Sequence, residues 1–267
     1  LPFVTPEMYG AVGNGSTNDY TALQNAVNSG RPVFIMEKNY RTLTAITIPS
    51  NTKIFGSGKN SIISVTTAIT CFNIIGGNSQ IDGLTFLGTI DASQKGVAVS
   101  GVAGLTDNFT SNVISECFFE NLGAGIYVTN IIGVSGTTYV GAIKANLCKF
   151  KGCTNGVNLE ARAEYNTFVN CHAVSCTIGY LIKGGNNTFT GGSATNNTNG
   201  FSLVAGTNDA HGVCTGMIIN HNTTNIRAVG VANGFLFNGC MIYSGDINVQ
   251  TSPNFRFVGC DISVAFL

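Results

Sequence analysis

Tryptophan is absent from this chain and charge is scarce: only 10% of its 267 residues are Asp, Glu, Lys or Arg, and 13 basic against 13 acidic side chains leave no net charge. Such a balance lacks both the basic footprint of a nucleic-acid binder and the acidic surplus of a solvating tail. Apolar runs of membrane-spanning length are also missing, because Gly, Asn or a charge interrupts every one. The opening residues lack the basic start and apolar middle of a secretory signal. The 9 cysteines form no CxxC pair and have no metal-type His spacing, so neither a metal nor a cofactor is expected. They read as reduced, buried, small apolar side chains made in a reducing cytosol.

What is abundant points one way. Hydrophobic residues make up 44% of the chain, which excludes wholesale disorder. Thirty-four Gly, with many Asn, Thr and β-branched residues, imply short strands punctuated by tight turns.

A repeat runs through these strands. An apolar–x–Phe unit recurs as Leu84-Thr85-Phe86, Cys117-Phe118-Phe119, Cys148-Lys149-Phe150, Asn166-Thr167-Phe168 and Asn187-Thr188-Phe189. It continues as Gly212-Val213-Cys214, Phe235-Leu236-Phe237 and Phe255-Arg256-Phe257, usually with Gly or Asn two residues further on. A second unit, turn residue–apolar–x–apolar, follows as Gly96-Val97-Ala98-Val99, Gly125-Ile126-Tyr127-Val128, Gly156-Val157-Asn158-Leu159 and Gly179-Tyr180-Leu181-Ile182, and in later copies ending at Asp246-Ile247-Asn248-Val249. Alternation at a period of about twenty residues defines a solenoid. Alternate side chains of each coil then enter a shared interior, with like residues stacked about 4.8 Å apart. Phe should stack on Phe, and Asn166 and Asn187 should form a buried amide ladder. The stretch 129–140 exceeds the repeat and reads as a loop leaving the cylinder; 89–95 is a second such loop.

Before the repeat, Tyr20, Leu23, Ala26 and Val27 share one helical face, with Asn18 placed to cap and Gly30 to terminate. An amphipathic helix here would plug the open first coil. The expected architecture is therefore all-β, a right-handed parallel β-helix with a short N-terminal amphipathic capping helix. Residues 1–50 form the cap and 51–267 the coils.

The run Tyr9-Gly10-Ala11-Val12-Gly13-Asn14-Gly15, then Asn18-Asp19-Tyr20-Thr21-Ala22-Leu23-Gln24, resembles the opening of the pectate-lyase-like β-helix superfamily, especially its phage tailspike branch. Lys53-Ile54-Phe55-Gly56-Ser57-Gly58 is similar to that family's segment before the first full coil. Asn14 and Asn18 stand where family members often carry Asp. The resemblance implies a homotrimeric spike of the virion tail, made in the host cytoplasm, that contacts other phage tail proteins and binds, and often cleaves, bacterial surface polysaccharide. An apolar outer stripe of Phe118, Val169, Val213, Leu236 and Val258 fits self-association.

Glycoside cleavage would need paired carboxyl groups across a cleft. Most carboxylates here have structural readings: Asp19 at the helix start, Glu120 beside Lys151, Asp82 in a turn, Asp246 at a corner. The densest constellation follows the second strand in three successive coils: Glu160, Arg162 and Glu164, then Lys183, then Asp209 and His211. Glu160, Glu164 and Asp209 are the candidate acid–base groups, with Arg162, Lys183 and His211 as substrate ligands. Tyr127 and Tyr139, flanking the long loop, are candidate sugar platforms. Glu160–Lys183 equally reads as a plain surface pair. Three classes therefore stay open: a depolymerase (endoglycosidase or lyase), a glycan-binding module, and a structural rod of the tail.

Overall fold

The computed structural model describes residues 2–100, 107–109, 111–129, 139–205, 210–252 and 254–265. It is a parallel β-solenoid of about ten coils, with three long sheets as its walls. Sheet A has 10 strands, from Val33–Ile35 to Arg256–Val258; sheet B has 11, from Asn14–Asn18 to Asp261–Ser263; sheet C has 9, from Ile46–Ile48 to Asp246–Gln250. Each coil visits A, B and C in turn, as in Lys144–Asn146, Lys149–Lys151 and Asn155–Leu159. A small fourth sheet joins Asp107–Phe109, Tyr139–Gly141 and Ala163–Glu164 on the return from C to A.

Three walls replace the two strand types read from the sequence. The second unit lies wholly on sheet C, where Val97, Ile126, Val157, Tyr180, Phe201 and Ile226 stack in register. The apolar–x–Phe unit divides. Phe86, Phe119 and Phe150 form a column on sheet B, whereas Phe168, Phe189, Cys214, Phe237 and Phe257 form one on sheet A. Stacking is close in both: ring centroids are 5.1 Å apart for Phe86–Phe119, Phe119–Phe150 and Phe168–Phe189. Where sheet B carries Phe150, its neighbour on sheet A is Ala145; one coil later sheet A carries Phe168 and sheet B carries Ala173, all four buried. From Phe86 to Phe189, one aromatic per coil from these two walls keeps the interior filled at near-constant cross-section.

Corners are held by two devices. Between A and B, successive coils turn through the left-handed conformation: at Glu116, Leu147 and Asn170, then at Gly191 and Gly192 together, Gly216, Gly239 and Gly259. The next position points inward and holds Cys117, Cys148, Cys171, Met217 and Cys240, all buried. Eight of the nine cysteines are buried and none is disulfide-bonded. Burial pushes the Cys117 thiol up to about 12, so it stays protonated and unreactive at neutral pH.

The second device is the buried amide. Asn166 Nδ2 donates to Asn187 Oδ1 at 2.9 Å and Asn187 Nδ2 donates to the Ala163 carbonyl at 3.0 Å, so the expected ladder is present. A second ladder occupies the B–C corner, where Asn197 Nδ2 donates to Asn222 Oδ1 and Asn222 Nδ2 to Asn225 Oδ1, both at 2.9 Å. Side-chain amides there satisfy backbone groups that the sharp bend takes out of the sheets.

At the N-terminus, the helix Tyr20–Asn28 buries Ala22, Leu23, Ala26 and Val27. Gln24 tethers it to the first strand of sheet C, donating to the Thr47 carbonyl at 3.0 Å and accepting from the Thr47 N–H at 2.8 Å. Asp19 is buried, and its carboxylate accepts the N–H groups of Val12 and Gly13 at 2.7 and 3.1 Å. The Ala-Val-Gly run of the start motif thus binds an internal anion. The N-cap position is Asp19 rather than the expected Asn18, whose Oδ1 accepts from the N–H groups of Tyr20 and Leu43.

Candidate functional site

The outer apolar residues do not form the single stripe expected from the sequence. Phe118 is on sheet B and the other four are on sheet A, where Val169 and Val258 share an outward column interrupted by Thr190, Thr215 and Asn238. Val213 and Leu236 occupy the other outward column of sheet A. The reason is the division of the Phe unit between two walls.

On the outer face of sheet C, a register column runs Asn73, Ala98, Tyr127, Asn158, Leu181, Ser202, Arg227 and Asn248. Residues pointing away from the core are ordinarily solvated, yet Ala98, Asn158 and Ser202 are buried. Lys95 Nζ stands 4.7 Å from the centre of the Tyr127 ring, a cation–π contact that fixes the ring. Asn158, only 8% exposed, donates from Nδ2 to Glu160 Oε1 at 3.1 Å, while its Oδ1 is buried and accepts no hydrogen bond from the described residues. Asn248 Oδ1, in the same column, is also a buried acceptor without a donor among the described residues. A lone buried acceptor costs about 1–3 kcal/mol until something donates to it.

Glu160 closes this network. It follows the strand Asn155–Leu159, and Lys183 follows Ile178–Ile182 in the next coil, so stacking brings them together. Lys183 Nζ donates to both carboxylate oxygens, at 2.9 and 2.8 Å. The sequence-expected pair is therefore formed, and it lies beside Asn158.

The other expected residues lie farther along the same edge. Arg162 adopts a left-handed backbone, and its carbonyl accepts from the Val140 N–H. Glu164, in the small fourth sheet, is only 4% exposed, and its Oε2 accepts from Asn186 Nδ2 at 3.0 Å. His211 is partly exposed and packs against Gly185, where a Cβ would fall 1.9 Å from the ring's Cε1. It also borders a groove of about 350 Å³ with Asn233, Leu236 and Arg256. Asp209 lies outside the described residues, as does 130–138, most of the expected long loop. Tyr139 lies in the strand Tyr139–Gly141, and its side chain is likewise outside the description.

Two features had not been read from the sequence. Asn158 was not among the expected site residues, and its position after Val157 in the repeat was the available signal. On sheet B, His172 Nδ1 lies 3.0 Å from Ser193 Oγ, in a depression of about 370 Å³.

No protein-family model matches the chain. It is 27% identical over 180 residues to the pre-neck appendage protein of Bacillus phage phi29, an alignment covering 64% of this chain and 20% of that protein. To the depolymerase of Klebsiella phage K64-1, described as specific for capsule K30/K69, it is 29% identical over 163 residues, covering 57% of this chain and 21% of the relative. Among solved structures, the enzymatically active domain of bacteriophage CBA120 tailspike protein 2 superposes with a TM-score of 0.69 at 19% identity, covering 100% of this chain and 43% of that one. The alignments thus span about a fifth of the length of those curated relatives. The solenoid matches the right-handed parallel β-helix, and the chain is similar in sequence to phage tail appendage and depolymerase proteins, as its start motif implies.

Proposed function

We propose that this chain is a β-helix segment of a phage tail appendage, and that it recognises a bacterial surface polysaccharide on the outer face of sheet C. One observation carries this reading: in the outward column of sheet C, Asn158 stands between Tyr127 and Leu181 and holds a buried Oδ1 to which no described residue donates. A sugar presents what that site lacks. When the Asn158 side chain turns outward its Oδ1 accepts from a sugar hydroxyl, and the apolar C–H face of the sugar packs on the Tyr127 ring, already held by Lys95. Glu160 and Lys183 then accept from and donate to neighbouring hydroxyls.

Binding without cleavage suits the described carboxylates better than catalysis does. A general acid must reach the glycosidic oxygen. Glu164 is buried against Asn186, and Glu160 is held at both oxygens by Lys183. The depolymerase named among the relatives gives cleavage a specific second reading, in which Asp209 joins these two residues as acid, base or nucleophile, with Arg162, Lys183, His211 and Tyr139 as substrate ligands.

The assembly we infer is a homotrimer within the virion tail, in contact with other tail proteins. Its contact would be the corner of sheets A and B in the last coils, where Ile218 (41% exposed), Met241 (46%) and Val258 (53%) are the exposed apolar residues. Symmetric burial of that patch suits a rod. In this reading the helix Tyr20–Asn28 covers the first coil.

Light scattering, followed by incubation with a panel of capsular and O-antigen polysaccharides, tests these points. A trimer that binds one polysaccharide and leaves its length unchanged supports the recognition reading. Shortening of that polysaccharide supports the depolymerase. A monomer that binds none refutes both.

A further inference from the structure

We propose a second binding site, on the outer face of sheet B, that takes an acidic saccharide through Lys149 and His172. The inference rests on the glycan-recognition reading for its ligand class but uses a different wall and different residues. Its frame is a register column, Phe118, Lys149, His172, Ser193 and Ile218, repeated at the coil spacing of about 4.8 Å. Val174 and Thr195 of the neighbouring outward column complete a depression of about 370 Å³.

Chemistry selects the ligand. Lys149 has Phe118 on one side and His172 on the other, and its ammonium has no ion-pair partner among the described residues. The adjoining outward column holds Glu120 directly beside Lys151, so that cation already has a carboxylate neighbour. Lys149 therefore leaves a local positive charge. The Ser193 hydroxyl at Nδ1 fixes the His172 ring and leaves Nε2 as its second polar atom. An anionic group resting between Lys149 Nζ and His172 Nε2 would accept from both. Phe118 borders the polar stretch with apolar surface of the kind that packs on sugar C–H faces. The site adjoins the trimer contact proposed at Ile218 and Met241 without using it.

A pH signature follows. Burial first, and then the Lys149 charge, lower the His172 pKa from its ordinary value. On the flanking strands the charged groups are Lys149 and Lys151 on one side and none on the other, where Ser193 and Thr195 stand. The ring is therefore harder to protonate than an ordinary imidazole. Acidification adds the second positive charge that an anion needs.

The test is calorimetric titration of the full chain with a heparin hexasaccharide, whose sulfates keep their charge throughout, and with neutral maltohexaose, at pH 7.5 and pH 5.0. Sulfated sugar should bind, more tightly at pH 5.0, while maltohexaose does not bind at this site. Lys149→Ala should weaken binding about tenfold at both pH values, the scale of one lost charge-assisted hydrogen bond. His172→Gln should leave binding at pH 7.5 within about twofold and abolish the acid gain. Lys144→Ala, on the outer face of sheet A, controls for general charge attraction and should have no effect. Equal loss from Lys144→Ala and Lys149→Ala, or an acid gain that survives His172→Gln, overturns the site. Tyr127→Ala separates the two walls: it should weaken polysaccharide recognition at sheet C about tenfold or more and spare the sulfated sugar at sheet B.

Discussion

The B–C corner is built in two ways along one rod. In the earlier coils its inward position holds Leu122, Cys153 and Cys176; in the later coils it holds Asn197 and Asn222. The first solution is apolar and nearly indifferent to direction. Cys176 offers long thiol contacts, 3.8 Å to the Phe150 carbonyl and 3.6 Å to the Val174 carbonyl. The second is a directed chain in which Asn222 Oδ1 accepts the Asn197 N–H at 2.8 Å while its Nδ2 donates to the Ala194 carbonyl at 2.9 Å. The interior changes over a similar span, as Phe moves from sheet B to sheet A between Phe150 and Phe168. A solenoid thus requires constant volume and satisfied backbone in every coil, but not the same residue at the same place.

Four substitutions would break or sharpen that comparison. The largest effect is expected from Phe150→Ala, about 4 kcal/mol, because a full aromatic leaves a stacked column. If volume per coil is what matters, adding Ala145→Phe on the facing wall should recover about half of that loss in urea unfolding. A double variant no more stable than Phe150→Ala would end the constant-volume account. Asn222→Leu, which copies Leu122 into the polar part of the corner, should cost about 3 kcal/mol. It strands the Asn197 amide, the Ala194 carbonyl and Asn225 Oδ1 in buried surroundings. Cys176→Ala should cost only about 1 kcal/mol, since it removes one small apolar group. A Cys176→Ala loss equal to that of Asn222→Leu would mean the two corners are not different in kind.

The smallest effect is electrostatic and lies at the start of the rod. Burial opposes the charged form of Glu7, but hydrogen bonds from Tyr40 and Lys38 outweigh it and hold the carboxyl below its ordinary value. A lowered carboxylate pKa contributes stability above its unfolded value, and that contribution is lost as pH falls through the folded value. Glu7→Gln should therefore flatten the acid limb of the stability curve below about pH 4.5 and leave neutral stability nearly unchanged.

Much of the fold was legible because stacking repeats its own chemistry. Sheet C was read correctly because its strands are longer and open on Gly. That Gly has a reason: a Cβ at Gly125 would fall 2.4 Å from the Phe150 ring of the neighbouring wall. Sheets A and B were merged because both are built from three-residue strands with one central inward residue, so Phe119 and Phe168 have the same local signature. Only the distance to the next corner separates them. At the site, the spacing of about one coil between Glu160 and Lys183 made their pairing readable. Asn158 was not, because its burial comes from neighbouring coils rather than from its own segment, and the same holds for His172 and Ser193.

The most direct test of the central claim is a titration of the intact chain, and of its Tyr127→Ala and Asn158→Ala variants, with the panel of capsular and O-antigen polysaccharides. The account predicts saturable binding to at least one polysaccharide, weakened about tenfold or more in each variant with the fold intact by circular dichroism. Binding that both variants retain at full strength would contradict recognition on sheet C, and a panel in which nothing binds would contradict recognition altogether.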